Sequence, residues 1–135
     1  MPSAQLLCVG PYDVHAVWPH VAPLIARAIR RTNLSHPNVI AADVRSGRAL
    51  LWLAWNGHAI EAAATTSLVS TGAETICVLT ACGGTHARRW TALIEGIEDY
   101  ARAERCARLR IFGRKGWLRL LPGYTTKHII MEKAL

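Results

Sequence analysis

The sequence predicts an α/β (α+β) fold, a mixed and mostly antiparallel sheet flanked by helices in the order β-α-α-β-β-β-α-β-α-β. Three observations carry this. Two β-rich runs flank Asn56-Gly57, the strongest two-residue hairpin signal because both turn positions need positive φ. At Gly83-Gly84 the apolar period switches from 2 to 3.6, and an earlier 3.6-period stripe runs from Val14 to Ala28. With 135 residues, 51% of them hydrophobic and 19% charged, the chain can build one core, expected as a single domain over residues 1–135, and intrinsic disorder is excluded.

The elements follow in order. Residues 6–9 form a short β-like run ending at Gly10-Pro11. Asp13 can cap a helix whose apolar residues Val14, Val17, Trp18, Val21, Leu24, Ile25 and Ala28 share one face. Pro19 and Pro23 fall inside it, which predicts a kink or a restart, since an interior proline costs about 3 kcal/mol. Ser35-His36-Pro37 and Gly47 bracket a second, short helix over Pro37–Ser46. Strands over 49–55, 58–68 and 74–82 make a three-stranded antiparallel meander. Thr85 can cap the next helix, whose stripe is Ala87, Trp90, Leu93, Ile94, Ile97 and Ala101. Residues 108–112 read as a strand, 116–121 as at most two turns of helix, and 126–131 as a final strand.

Sixteen Lys and Arg against nine Asp and Glu give a net charge of +7, which calls for an acidic partner: a phosphorylated ligand, nucleic acid or an anionic membrane. The excess is local, because residues 88–119 hold nine basic and four acidic side chains. That shifts the expected partner from DNA or membrane toward a phosphorylated cofactor. Cys8, Cys77, Cys82 and Cys106 form no CxxC pair, and neither a signal peptide nor an apolar run of about 20 residues is visible, so a reducing cytoplasm is the expected location. His15, His20, His36, His58 and His128 have no paired spacing, and no metal is expected.

The junction of strand, Gly83-Gly84 and helix is the most informative stretch. A helix N-terminus attracts anions, and glycines let a phosphate approach the backbone. Arg88 and Arg89 oppose the dipole in that first turn, which an anion between them and the helix end would explain; an ordinary turn with both arginines in solvent is the alternative. Glu61 lies in a strand otherwise made of Ile60 and Ala62 to Ala64, where burial would fit it to deprotonate an amine, or it is a salt-bridged glutamate. Glu74 and His86 are weaker base candidates. Cys82 as a nucleophile has no evident partner base. Trp117, in the basic run Arg114 to Arg119, could stack on a nucleobase or pack as an ordinary indole.

The element order, together with residues 50–57 (LLWLAWNG), 82–84 (CGG), 110–124 (RIFGRKGWLRLLPGY) and 131–133 (MEK), resembles the GNAT superfamily of acyl-CoA-dependent N-acyltransferases. More narrowly it resembles short GNAT-like proteins of bacteriophages and prophages. The resemblance implies that acetyl-CoA pairs its pantetheine arm with Val78, Leu79 and Thr80 and rests its pyrophosphate on Gly83, Gly84, Thr85, His86, Ala87, Arg88 and Arg89. It implies an amine acceptor and an oxyanion held by a backbone N–H near Leu79 or Thr80. The family's phosphate-loop motif is not found here, and the place of its acidic tyrosine holds Arg119, with Tyr124 as a substitute. Glu61 and Tyr124 are therefore the expected catalytic pair. The other reading is a catalytically retired GNAT fold acting as a phage structural, virion or host-interaction protein. An exposed sheet edge would allow a homodimer.

Overall fold

The computed structural model describes residues 3–113 and 115–135. A five-stranded sheet has the order β1 (Gln5–Cys8), β2 (Leu50–Trp55), β3 (Ile60–Ser70), β4 (Thr75–Gly84), β5 (Arg108–Ile111). The first four are antiparallel neighbours, while β4 and β5 are parallel. A parallel pair needs a crossover. Here it consists of α3 (Ala87–Trp90), a 3-10 turn (Thr91–Leu93) and α4 (Ile94–Ala103).

Alternation along the strands separates two cores. Leu51, Leu53, Ala63 and Ala81 pack with Val21, Ile25 and Ile29 of α1 (Val14–Thr32) and with Ile40 and Val44 of α2 (Pro37–Ser46). On the other face Trp52, Ala64 and Leu79 pack with Ile97 of α4, and Trp90 of α3 covers Ala54 and Ala62.

The fold class and the order of elements match the sequence reading, with local differences that have physical causes. α1 runs unbroken through Pro19 and Pro23. Both prolines lie on its exposed side, so water can satisfy the carbonyls of His15 and Pro19 that lose their donors. Asp13 makes no side-chain cap, whereas α2 is capped by His36, whose Nδ1 accepts from the Asn38 N–H at 3.1 Å. The Asn56-Gly57 turn is wider than two residues: β2 and β3 close at Trp55 and Ile60, and the Asn56 side chain accepts from the N–H groups of His58 and Ala59, each at 2.8 Å. No strand forms over 126–131, and β5 is the edge of the sheet.

The largest difference is at Gly83-Gly84. These are the last two residues of β4, paired with Ala63 and Ala62, and not a turn opening a helix. A Cβ on Gly83 would lie 2.7 Å from the Leu24 carbonyl oxygen of α1, and one on Gly84 would lie 2.6 Å from the Ala62 Cβ. The glycines are required because a helix backbone and a neighbouring strand crowd both positions.

Gly83→Ala is therefore expected to lower stability by about 1–3 kcal/mol through overpacking. Urea denaturation checks this, and an unchanged midpoint would refute the packing role.

Candidate functional site

Hydrogen bonds at the two ends of β4 fix which way its backbone faces. In a strand, N–H and C=O of one residue point to the same side and successive residues alternate. The Leu79 carbonyl accepts from the Phe112 N–H at 3.2 Å, so Leu79 faces β5. Thr85 donates to the Glu61 carbonyl at 3.0 Å, so Thr85 faces β3. The two are six positions apart, and strict alternation would turn both the same way. The register shift between Thr65 and Thr66 resolves this, because it places Thr80 and Ala81 together opposite Thr65 as a β-bulge. Beyond the bulge, Cys82 and Gly84 face away from β3. β5 pairing ends at Leu79 and Ile111, so among the described residues their outward N–H and C=O groups have no strand beside them.

Buried hydroxyls hold this irregularity. Thr65 Oγ1 and Thr80 Oγ1 are 2.7 Å apart, and Thr80 Oγ1 also donates to the Thr65 carbonyl at 3.2 Å. Thr66, equally buried, accepts from Trp52 Nε1 at 3.0 Å. The pairing of Val78 and Leu79 with Arg110 and Ile111 already engages that part of β4, and Thr80 faces β3 at the bulge.

The expected anion site is reorganised. Thr85 is not the helix cap; His86 occupies that position with φ 54° and no side-chain cap, and Ala87 opens a helix of only four residues. Arg89 turns back onto β3 and forms an ion pair with Glu61, whose side chain is 13% exposed. Glu61 Oε2 is buried without a hydrogen-bond partner among the described residues. The candidate base and one candidate anion ligand thus hold each other.

Arg88 does not join them. It lines a cleft of about 840 Å³ between the α3–α4 crossover and the segment that follows β5, with Glu95 and Glu98 on the same wall and Arg119 and Tyr124 opposite. The Tyr124 hydroxyl donates to Glu98 Oε2 at 2.6 Å. Burial, then the bond to the Glu98 carboxylate, raises the Tyr124 pKa well above the usual tyrosine value. Arg88 and Tyr124 are therefore brought to one cleft, and Glu61 and Arg89 to another place at the end of β3. Glu98 was not singled out in the sequence, and its i,i+4 relation to Arg102 was the only local signal.

The remaining candidates are accounted for. Burial pushes the Cys82 thiol far up, which keeps it protonated and opposes a nucleophilic role. Glu74 pairs with Arg108 at 3.0 Å. Trp117 packs edge-on against Trp90 with ring centroids 5.6 Å apart, as a packed indole, and Arg114 of the same basic run lies outside the described residues. No helix among the described residues is long and apolar enough to cross a membrane.

No family model matches the chain, and no curated protein does. Solved structures do match over nearly the whole length. An aminoglycoside acetyltransferase from an uncultured soil metagenomic sample, in complex with trehalose, superposes with a TM-score of 0.72 at 9% identity, covering 98% of this chain and 96% of the other. A GNAT family acetyltransferase of Staphylococcus aureus gives 0.67 at 10% identity, covering 98% and 99%. A ribosomal-protein-alanine N-acetyltransferase of Brucella melitensis gives 0.63 at 12%, covering 96% and 99%. The chain has the GNAT acetyltransferase fold. Within that fold the parallel β4–β5 pair, which separates past Leu79, lies next to the crossover bearing Arg88.

The Tyr124 hydroxyl gives a pH test with a defined sign. Its raised native pKa means that the folded state keeps the proton that the unfolded state loses above about pH 10, so this contribution is complete below pH 10 and fades as pH rises further. Tyr124→Phe is expected to cost about 1–2 kcal/mol at pH 7 and to leave a shallower loss of stability above pH 10. Chemical denaturation at several pH values measures both, and parallel curves for the two proteins would contradict the assignment.

Proposed function

We propose that this chain is an acyl-CoA-dependent N-acetyltransferase, phage or prophage encoded and cytoplasmic, that uses acetyl-CoA to acetylate an amine. The observation that carries the reading is the unpaired edge of β4 at Cys82 and Gly84, immediately beyond the bulge, together with a cleft on the crossover that bears two cations. Acetyl-CoA supplies an activated acyl carbon and two phosphate-rich segments. An extended amide-containing arm fits a strand edge that offers alternating N–H and C=O groups. Arg88 and Arg119, on facing walls of the cleft, suit the phosphates. The contacts that the resemblance implies at Val78 to Thr80 thereby move to Cys82 and Gly84, where the outward groups have no strand beside them among the described residues.

The chain's own residues then have assignable roles. The Cys82 N–H is the first outward donor past the bulge and is preorganised for an oxygen that gains negative charge during acyl transfer. Glu61 is the base proposed to take a proton from the incoming ammonium. Its Oε2 makes no hydrogen bond among the described residues but is buried, so the amine must displace the cover over it, while Arg89 holds the carboxylate in place. Tyr124, kept protonated, donates its one O–H proton to Glu98 and would serve the leaving sulfur by turning that bond away from the carboxylate. Thr85, His86 and Ala87 shape the turn that follows this edge, and Gly83 keeps β4 close against α1.

A second reading is favoured by one specific observation. Arg89 is engaged by Glu61, and Arg119 stands where relatives place an acidic tyrosine, as expected if catalysis has been lost and the fold serves a virion or host-interaction role. Turnover with a free amine excludes that reading; fixed stoichiometry in purified particles without turnover supports it.

Calorimetric titration with acetyl-CoA is expected to give saturable binding that the Arg88→Ala, Arg119→Ala double variant weakens by roughly 10-fold or more. Amide hydrogen exchange at Cys82 and Gly84 should slow on binding, while Gly83, which faces β3, stays unchanged. No heat and no thermal shift at millimolar ligand would sink the proposal.

A further inference from the structure

One set of cations belongs neither to the ion pairs nor to the crossover cleft. α1 carries Arg27, Arg30 and Arg31 and no acidic residue along its 19 positions. All three arginines are exposed and enter no ion pair among the described residues. The dipole at a helix C-terminus favours cations, so the cluster persists without acids to balance it. Its place in the fold is fixed by Gly83, where an added Cβ would meet the Leu24 carbonyl oxygen and the Ala28 Cβ, so α1 lies directly on the last residues of β4. Arg31 follows Ala28 on the same helix face and sits about 4.5 Å further along the axis, past the end of the strand. Arg27 is its neighbour one turn back. β5 adds a further cation to this face. Leu109 and Ile111 join the core on the crossover side, so Arg110 between them, opposite Val78, projects to the α1 side, again without an ion pair among the described residues. Acids do not offset these charges: Asp13 precedes the far end of α1, Asp43 of α2 is paired with Arg48, and Glu74 with Arg108.

We propose that the α1 side of the open β4 edge binds the acceptor, and that the acceptor is an amine carrying a compact anion, a carboxylate or a phosphate, and not a polyamine. This inference rests on the acetyltransferase reading above. The edge at Cys82 and Gly84 can be approached from either face of the sheet. On the crossover face Arg88 and Arg119 are assigned to the phosphates of acetyl-CoA. The sheet lies between them and the α1 cations, and a helix is about 10 Å across, so one diphosphate does not contact both sets. An amine arriving on the α1 side meets Arg27 and Arg31 at the end of β4. These attract an anionic group on the acceptor and repel a second ammonium, so the same charges select one class of amine and reject the other.

Nuclear magnetic resonance titration of the full chain tests the site without turnover. β-Alanine and O-phosphoethanolamine should shift the amides of Arg27, Arg31, Cys82 and Gly84, and the two arms rank carboxylate against phosphate. Their partners without the anion, 1,3-diaminopropane and ethanolamine, should leave these amides in place. In assays of thiol release from acetyl-CoA, kcat/KM for β-alanine should exceed that for 1,3-diaminopropane by about 10-fold or more, with the gap closing as salt is added. The Arg27→Gln, Arg31→Gln double variant should raise KM for β-alanine by about 10-fold with little change in kcat. Calorimetry with acetyl-CoA separates the two levels of the claim. A wild type that does not bind acetyl-CoA overturns the acetyltransferase reading and this inference with it. Intact acetyl-CoA binding overturns the anionic acceptor alone if the diamine is used as well as β-alanine, if the shifts are confined to Arg88 and Arg119, or if the double variant behaves as the wild type.

Discussion

The bulge at Thr80 sets the phase of everything downstream in β4. Without the extra residue, Ala81 and Gly83 would face outward, and Gly83 would lose its pairing with Ala63 just where α1 approaches within contact of its α-carbon. The Thr65–Thr80 hydroxyl pair stabilises the extra residue from inside the sheet, where neither hydroxyl could be left unpaired without a cost of about 1–3 kcal/mol. The same insertion opens the outward groups of Cys82 and Gly84 as β5 diverges. Packing against α1 and the exposed binding edge are thus two consequences of one backbone irregularity.

That constraint explains why the end of β3 is polar in an otherwise apolar sheet. Thr85 leaves β4 by donating to the Glu61 carbonyl, and the Glu61 side chain then meets Arg89 one turn later. Backbone and side chain of one residue therefore fix the exit of the crossover. A pair this far from water stabilises little in net terms, but losing either member would leave a charge poorly solvated, so its main effect is on geometry. It holds α3 to the sheet despite a helix of four residues and no cap. Trp90 supports the same junction, with its ring on Ala54 and Ala62 and its Nε1 donating to the Thr85 carbonyl at 2.8 Å.

What the sequence conveyed was mostly local or periodic. The stripe of Trp90, Ile94, Ile97 and Ala101 is buried as its spacing requires, and the meander follows its turn residues. The glycine doublet reads in sequence as a strand-to-helix turn, with or without an anion on it, because its immediate neighbours are a strand and a helix. Its actual reason, contact with Leu24 and Ala62, lies 59 and 22 residues away in sequence, beyond any local pattern. The break at Thr91–Leu93 leaves the apolar stripe intact and so left no periodic trace. Residues 126–131 carry the right strand composition, but composition says nothing about whether an edge is within reach. Glu61 and Arg89 were both singled out, yet only the fold reveals that they meet.

The basic excess finally separates into two kinds of cation. Arg89, Arg102 and Arg108 are held by Glu61, by Glu98 and Asp99, and by Glu74, so they are largely neutralised close to the surface. Arg88 and Arg119 enter no ion pair among the described residues and face each other across a single cleft. Nonspecific duplex binding draws on roughly 6–10 phosphate contacts spread over a continuous basic face, whereas these two cations line one cleft. Two cations on facing walls instead focus positive potential into a confined volume, where a compact anion of one or two phosphates can contact both. The acidic side chains Glu95 and Glu98 line the same cleft and confine the positive potential to the part of it near the two arginines. The charge distribution thus concentrates positive potential at one cleft between the crossover and the segment that follows β5.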